Sequence, residues 1–136
     1  MWTNKITSFI FTELKKRGLE RLSAKTEYAN AFFTTSSKVQ TTAKFPTIYL
    51  EKLPGAERGR TLEKGVPNAI DSAFQVIITD NVNQFRANDV ADIVSDIMNE
   101  LGYEPMQDPT PTASQDTYQN IARYGRTIGK DEKIIP

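Results

Sequence analysis

The 136-residue sequence contains no cysteine and no histidine. Without cysteine the chain has neither a disulfide framework nor a thiolate metal site. Without histidine it lacks the commonest general base and the commonest metal ligand at neutral pH. The two residue types on which catalytic and metal sites most often depend are therefore missing.

An excess of charge and a long apolar run are also missing. The 17 Lys and Arg residues balance the 17 Asp and Glu residues, so the net charge indicates neither nucleic-acid binding nor a cation store. No apolar run approaches the roughly 18 residues of a membrane helix. The short run near the N-terminus leads into charged residues without a small-residue cleavage site, so no signal peptide is predicted. The composition, 38% apolar and 25% charged, is typical of a soluble globular domain with one core.

Two segments carry apolar residues at helical spacing. The first helix is predicted from Asn4 to Arg17, with Gly18 as its end. The second is predicted from Asn88, a good N-cap, to Leu101, with Gly102 as its end. Its apolar stripe comprises Val90, Ile93, Val94, Ile97, Met98 and Leu101.

Alternating apolar and β-branched residues predict strands from Thr47 to Leu53, Ala73 to Thr79 and Tyr118 to Ile128, with a weaker strand from Tyr28 to Phe33. The stretch DPTPTASQD, residues 108–116, is predicted to be a proline-rich linker. The fold class is α+β, a mixed or antiparallel sheet of about four strands with two helices on one face. One domain is expected over residues 1–128, followed by a mobile tail over residues 129–136.

A charged arm, residues 54–68, follows the Thr47–Leu53 strand. Pro54 and Gly55 form a turn dipeptide, and the arm then carries Glu57, Arg58, Arg60, Glu63 and Lys64. Charge complementarity fixes the register and specificity of protein contacts more than their affinity. The arm is predicted to project from the domain. The alternatives are a disordered surface loop and, favoured if the chain is a subunit of an assembly, an element that contacts its partners.

Two further sets of residues suggest chemistry. Asp80, Asp89, Asp92 and Asp96 surround the start of the second helix, and Asp92 and Asp96 are spaced to share a divalent ion. The favoured interpretation is a solvated helix face. Arg123, Tyr124 and Arg126 on the last strand can stack on single-stranded nucleic acid, but the favoured interpretation is a protein interface, where Arg and Tyr are enriched. Serine and threonine lack a G-x-S-x-G context, so no enzyme and no cofactor is predicted.

The order of segments resembles that of the tail terminator, or tail-completion, proteins of long-tailed bacteriophages. The resemblance rests on FPTIYLEK, the charged arm, FQVIITDN, the helix RANDVADIVSDIMNELGY, the proline-rich segment and YQNIARYGRTI. It covers about Ile6 to Ile128. It depends on the pattern of segments, because this family has no catalytic signature.

The resemblance implies a subunit that forms a ring, usually a hexamer, on the last ring of the tail tube. Such a ring stops tube growth and offers the surface that joins the head. The implied partners are further copies of the chain, the major tail tube protein and a head-completion or connector protein, with no membrane and with DNA passing through the lumen without specific binding. The implied location is the virion, and the host cytoplasm during assembly. Two alternatives stay open, a small regulatory ligand-binding α+β domain and, less favoured, a metal-dependent phosphodiesterase.

Overall fold

The computed structural model describes residues 5–28, 31–35, 45–53, 57–60, 67–113 and 117–129. Two α-helices and six strands form these parts of the chain. The elements are α1 (Ile6–Leu22), a 3-10 turn (Thr26–Tyr28), β1 (Phe32–Thr34), β2 (Thr47–Leu53), β3 (Glu57–Arg60), β4 (Pro67–Asp80), α2 (Gln84–Glu100), β5 (Glu104–Ala113) and β6 (Tyr118–Gly129).

The six strands form one mixed sheet in the order β1-β2-β4-β6-β5. β1 and β2 are parallel, and every other pair is antiparallel. β3 pairs with the first residues of β4, and β2 pairs with later residues along the same edge of β4. The α+β class is confirmed. The sheet has six strands where about four were predicted, because β3 and β5 had no sequence signal of their own.

Both helices contribute to one core with one face of the sheet. In β4 the residues Phe74, Val76 and Ile78 are buried and alternate with half-buried neighbours. The α2 stripe faces them as predicted, with Ile93 partly buried and its other members fully buried: Val90, Val94, Ile97, Met98 and Leu101. The α1 residues Ile6, Ile10, Leu14 and Leu22 belong to the same cluster.

The helix boundaries differ from the prediction at two points. α1 continues through Gly18 to Leu22. Gly18 does not end the helix, and the Phe33 ring packs against the helix at this position. α2 begins after Asn83, whose side-chain oxygen accepts a hydrogen bond from the Arg86 backbone N–H at 2.8 Å. Asn88 is therefore inside the helix and not its cap. The end of α2 at Gly102 is confirmed, since this glycine has a positive φ of 87°.

The proline-rich segment is a strand for most of its length. Residues 108–113 belong to β5, which pairs with β6 through two irregularities in register. β5 lies at the edge of the sheet, where a residue without a backbone N–H is tolerated. This corrects the predicted linker. Residues 114–116, and the predicted tail beyond Gly129, lie outside the described residues.

Candidate contact surfaces

The charged arm is in part a β-hairpin. Glu57 pairs with Ile70, Arg58 with Ala69 and Arg60 with Pro67. The backbone of the arm is thus held to β4, the longest strand of the sheet at 14 residues, and extends the sheet past the end of β2. Glu63 and Lys64 lie outside the described residues.

The three predicted interface residues of β6 do not share a surface. Their strand alternates between the two faces of the sheet, so Arg123 lies exposed on the open face while Tyr124 lies in the core. Tyr124 is 1% exposed, which corrects its predicted place at an interface, because a buried side chain offers no surface to a partner. Arg126 is half-buried, and its guanidinium donates to the Leu101 carbonyl oxygen at 2.9 Å. It thereby binds the carbonyl end of α2, where a cation is favoured.

Two of the buried tyrosines, Tyr103 and Tyr124, have raised pKa values. Removal from water raises the pKa of Tyr124 above 10.0, and the negative charges of Asp92 and Asp96 raise it further. A hydrogen bond with Ser95 lowers this pKa but does not cancel the increase. Removal from water also raises the pKa of Tyr103, although its hydroxyl lies 2.9 Å from the Ser72 hydroxyl. Both phenols are therefore protonated structural groups at neutral pH.

The open face of the sheet carries rows of paired side chains. Tyr49, Ile77 and Ile121 lie opposite one another on adjacent strands and are half-buried. In the next row Arg123 donates to Gln75 at 2.9 Å, and Gln75 donates to Glu51 at 3.1 Å. The described helices, α1 and α2, lie on the opposite face.

An apolar pair lies at the end of β4 opposite the hairpin. Val82 is 51% exposed and Phe85 is 74% exposed, in the turn into α2 and in its first residues. Large apolar side chains at this exposure mark candidate protein contacts when they lie together. The sequence analysis missed this pair, although two apolar residues within the polar stretch TDNVNQFRAND were a usable signal.

A shallow hollow lies next to the last residues of β6. It has a volume of about 610 Å³ and lies between the start of β5 and the last residues of β6. Two carboxylates, Asp71 and Glu104, line it together with Gly102, Met106, Arg126 and Thr127. Asp71 accepts a hydrogen bond from the Thr127 hydroxyl at 2.7 Å.

The aspartates around α2 are dispersed. Asp80 is fully buried, accepts from the Val82 N–H at 3.1 Å and pairs with Arg86 at 3.4 Å. Asp89 accepts from the Tyr28 hydroxyl at 2.7 Å and from Lys25 at 3.4 Å. In the described part of the chain, no group of three or more acidic residues is placed to hold a metal ion.

The helices of the described residues include none that is both long enough and apolar enough to cross a membrane.

No protein-family model and no curated protein matches the sequence. The fold is found in other proteins, and 19 solved chains match the structure. One of them, whose name carries no functional description, has a TM-score of 0.57 at 14% sequence identity. The match covers 93% of this chain and 97% of that chain. At this identity the likeness shows the architecture alone, a single α+β fold that spans nearly the full length of both proteins.

Proposed function

We propose that this protein is a tail terminator of a long-tailed bacteriophage, a structural subunit that forms a hexameric ring on the end of the tail tube. The ring stops tube polymerisation and provides the surface to which the head joins. Its partners are further copies of the chain, the major tail tube protein and a head-completion or connector protein. DNA passes through the lumen without specific binding, in keeping with a net charge of zero.

One observation supports the proposal: the two ends of β4 differ in character. The strand begins in the charged hairpin and ends beside the exposed Val82 and Phe85. At about 3.4 Å per residue, 14 residues separate these surfaces by roughly 45 Å. A ring subunit that must contact its neighbours in the ring and also the tail tube or the head connector needs two separate surfaces of this kind. The order of segments, which resembles the tail terminators, supports the same assignment.

The first test reverses the charges of the hairpin. Arg58→Glu with Arg60→Glu should leave the melting temperature close to that of the unchanged protein and reduce the fraction of rings in native mass spectrometry. The loss should be larger at low salt, because screening weakens exposed charge pairs. Tail tubes incubated with this variant should stay uncapped in electron micrographs.

The matched control reverses two charges on the body of the protein. Lys15→Glu with Lys16→Glu changes the net charge equally, on exposed positions of α1. It should form rings and cap tubes normally. Rings of equal yield from the hairpin variant would contradict its role in assembly.

A ligand-binding domain is the second candidate, and the hollow beside Gly102 is the observation that favours it. Its volume falls within the roughly 300–1,000 Å³ of small-molecule sites, but those sites are mostly apolar and enclosed. This hollow is shallow and lined by Asp71, Glu104 and Arg126. A ligand-binding domain would remain a monomer or dimer in native mass spectrometry in the presence of tail tubes, which separates the two functions.

A further inference from the structure

Two strand edges beside the hairpin have no partner strand in the described part of the chain. β5 pairs with β6 only as far as Gly125, whereas β6 continues to Gly129 against β4. The segment Thr127–Gly129 therefore has a partner strand on one side only. β3 likewise pairs with β4 on one side, and no described strand lies along its other side. Such edges bind further strands through their backbone groups.

The two strands that carry these edges pair with two of the same residues of β4, one strand on each side. Ala69 of β4 pairs with Arg58 on one side and with Gly129 on the other, and Ile70 pairs with Glu57 and Ile128. β3, β4 and β6 thus form a three-stranded ribbon, and each of its outer strands has an edge without a partner among the described strands. The hollow lies beside the β6 edge and leaves room there for an added segment.

We infer that β3 of one subunit adds to the Thr127–Gly129 edge of the next subunit and joins the ribbons head to tail. This inference rests on the ring proposed above. The occupant is a second copy of this chain, because the same ribbon supplies both edges. Net charge favours the pairing, since β3 contains two arginines and one glutamate, whereas the hollow is lined by two carboxylates and one arginine.

The direction of the joined strands follows from the topology. β4 is antiparallel to both β3 and β6, so β3 and β6 run in the same direction. In a closed ring every subunit has the same orientation along the ring axis, and a contact between unlike edges repeats until the ring closes. The junction between subunits is therefore a parallel strand pair. A two-fold contact of like edges, β3 with β3 or β6 with β6, would instead stop at a dimer.

The natural absence of cysteine makes this contact testable by a single introduced pair. Adjacent strands lie about 4.8 Å apart, within the Cα separation of about 4.4–6.8 Å that a disulfide spans. The full-length variant Arg58→Cys with Thr127→Cys is assembled on tail tubes and mildly oxidised. We expect a ladder of covalent multimers up to the closed ring on a non-reducing gel. Arg58→Cys with Gly129→Cys covers the alternative register, two residues away.

Each single-cysteine variant should give no ladder, because a head-to-tail contact brings unlike positions together. The control pair is Glu20→Cys with Thr127→Cys, with Glu20 at an exposed position of α1. We expect roughly tenfold more multimer from the hairpin pairs, because neighbouring thiols in a ring react at a millimolar effective concentration. Melting temperatures of all variants show whether each one is folded.

The outcomes separate the inference from the proposed function. Six-fold rings in native mass spectrometry without a ladder from either hairpin pair would overturn the strand pairing and leave the terminator function standing. Covalent dimers from a single-cysteine variant would indicate a two-fold contact and overturn the inference. An equal ladder from the Glu20 pair would make the cross-link non-specific and do the same. No ring on tail tubes, for the unchanged protein as well, would overturn both.

Discussion

Gly18 forms a close contact between α1 and β1. A Cβ atom built on it would lie 2.2 Å from Cζ of the Phe33 ring, and Phe33 is 4% exposed. Glycine in the interior of a helix costs about 0.5–1 kcal/mol relative to alanine. Here the missing side chain is what allows the ring to lie against the helix, so packing outweighs helix propensity.

Gly18→Ala should therefore destabilise the protein by about 1–3 kcal/mol through overpacking, although alanine is the better helix former. Denaturant unfolding followed by circular dichroism measures the change. Combining it with Phe33→Leu, which shortens the side chain at the contact, should recover part of the loss. The exposed control Ser8→Ala should be neutral or slightly stabilising. A gain in stability for Gly18→Ala alone would show that the close contact does not exist.

Tyr103 and Tyr124 give the fold a dependence on alkaline pH. Folding raises the pKa of both phenols above 10.0, mainly by removing them from water. The folded state therefore holds these protons while the unfolded chain releases them from about pH 10 upwards. The stability that this contributes is fully present below pH 10 and is lost as the pH rises through the folded pKa values.

The free energy of unfolding should therefore fall as the pH rises above 10. Tyrosinate absorbance at 295 nm should show that at least two of the five tyrosines, Tyr103 and Tyr124, ionise only when the circular dichroism signal is lost. Tyr103→Phe with Tyr124→Phe should flatten this part of the stability curve. Ionisation of all five tyrosines in the folded protein would contradict the burial of these two.

The helix α2 links the core to the contact surfaces. Its buried stripe packs on β4 and β6, its first residues carry the exposed Phe85, and its last carbonyl groups bind Arg126. Glu100 near its end accepts hydrogen bonds from Arg17 and Arg21 of α1. The hydrogen bond from Arg21 is the largest cause that lowers the pKa of Glu100. Since the ion pairs of Glu100 with Arg17 and Arg21 are at the surface, the apolar stripe contributes more than these pairs to holding α2 in place.

Ile97→Ala should lower the free energy of unfolding by about 2–5 kcal/mol, because Ile97 is fully buried and its truncation leaves a cavity. Thermal unfolding followed by circular dichroism is the measurement. Asn99→Ala, two residues away on the exposed side of the same helix, is the control and should change little. A melt of Ile97→Ala that matches the unchanged protein would mean that α2 does not pack on the sheet.

At the scale of the whole molecule, β4 separates a charged end from an apolar end. The hairpin offers backbone edges and charge, which favour a contact between copies of the chain. The Val82 and Phe85 end offers an exposed aromatic ring, the type of residue that dominates the binding energy of protein interfaces. This division predicts that ring formation and binding to a partner can be lost separately.

Phe85→Ser should leave the melting temperature and the ring fraction unchanged, because the side chain is 74% exposed. Binding of the ring to tail tubes, or of capped tails to heads, should fall by about 30-fold, the effect of losing a contact of about 2 kcal/mol. Sedimentation of rings with tubes and a head-joining assay identify the partner. Phe9→Ser, an equal change at the 46% exposed Phe9 of α1, should have no effect. If the Phe85 variant behaves like the Phe9 variant in both assays, the apolar end is not a contact surface.

The sequence by itself determined the elements whose pattern is local. The α2 stripe, its end at Gly102 and the strand Thr47–Leu53 follow from spacing within one segment, and all three are present as predicted. The α+β class follows as well, since two amphipathic helices need an apolar sheet face. In the candidate site, the sequence placed charge in the arm but did not show that the arm is a hairpin.

Only the tertiary structure decided the rest, because it depends on partners distant in the chain. β3 is charged and β5 is rich in proline, and each is a strand because a neighbouring strand supplies its hydrogen bonds. Arg123 and Tyr124 are adjacent in sequence, yet the helices cover one face of the sheet and leave Arg123 exposed on the other. Ala69 and Ile70 of β4 each pair with β3 on one side and with Thr127–Gly129 on the other. This depends on the register of the strands, which their pairing sets and local composition does not.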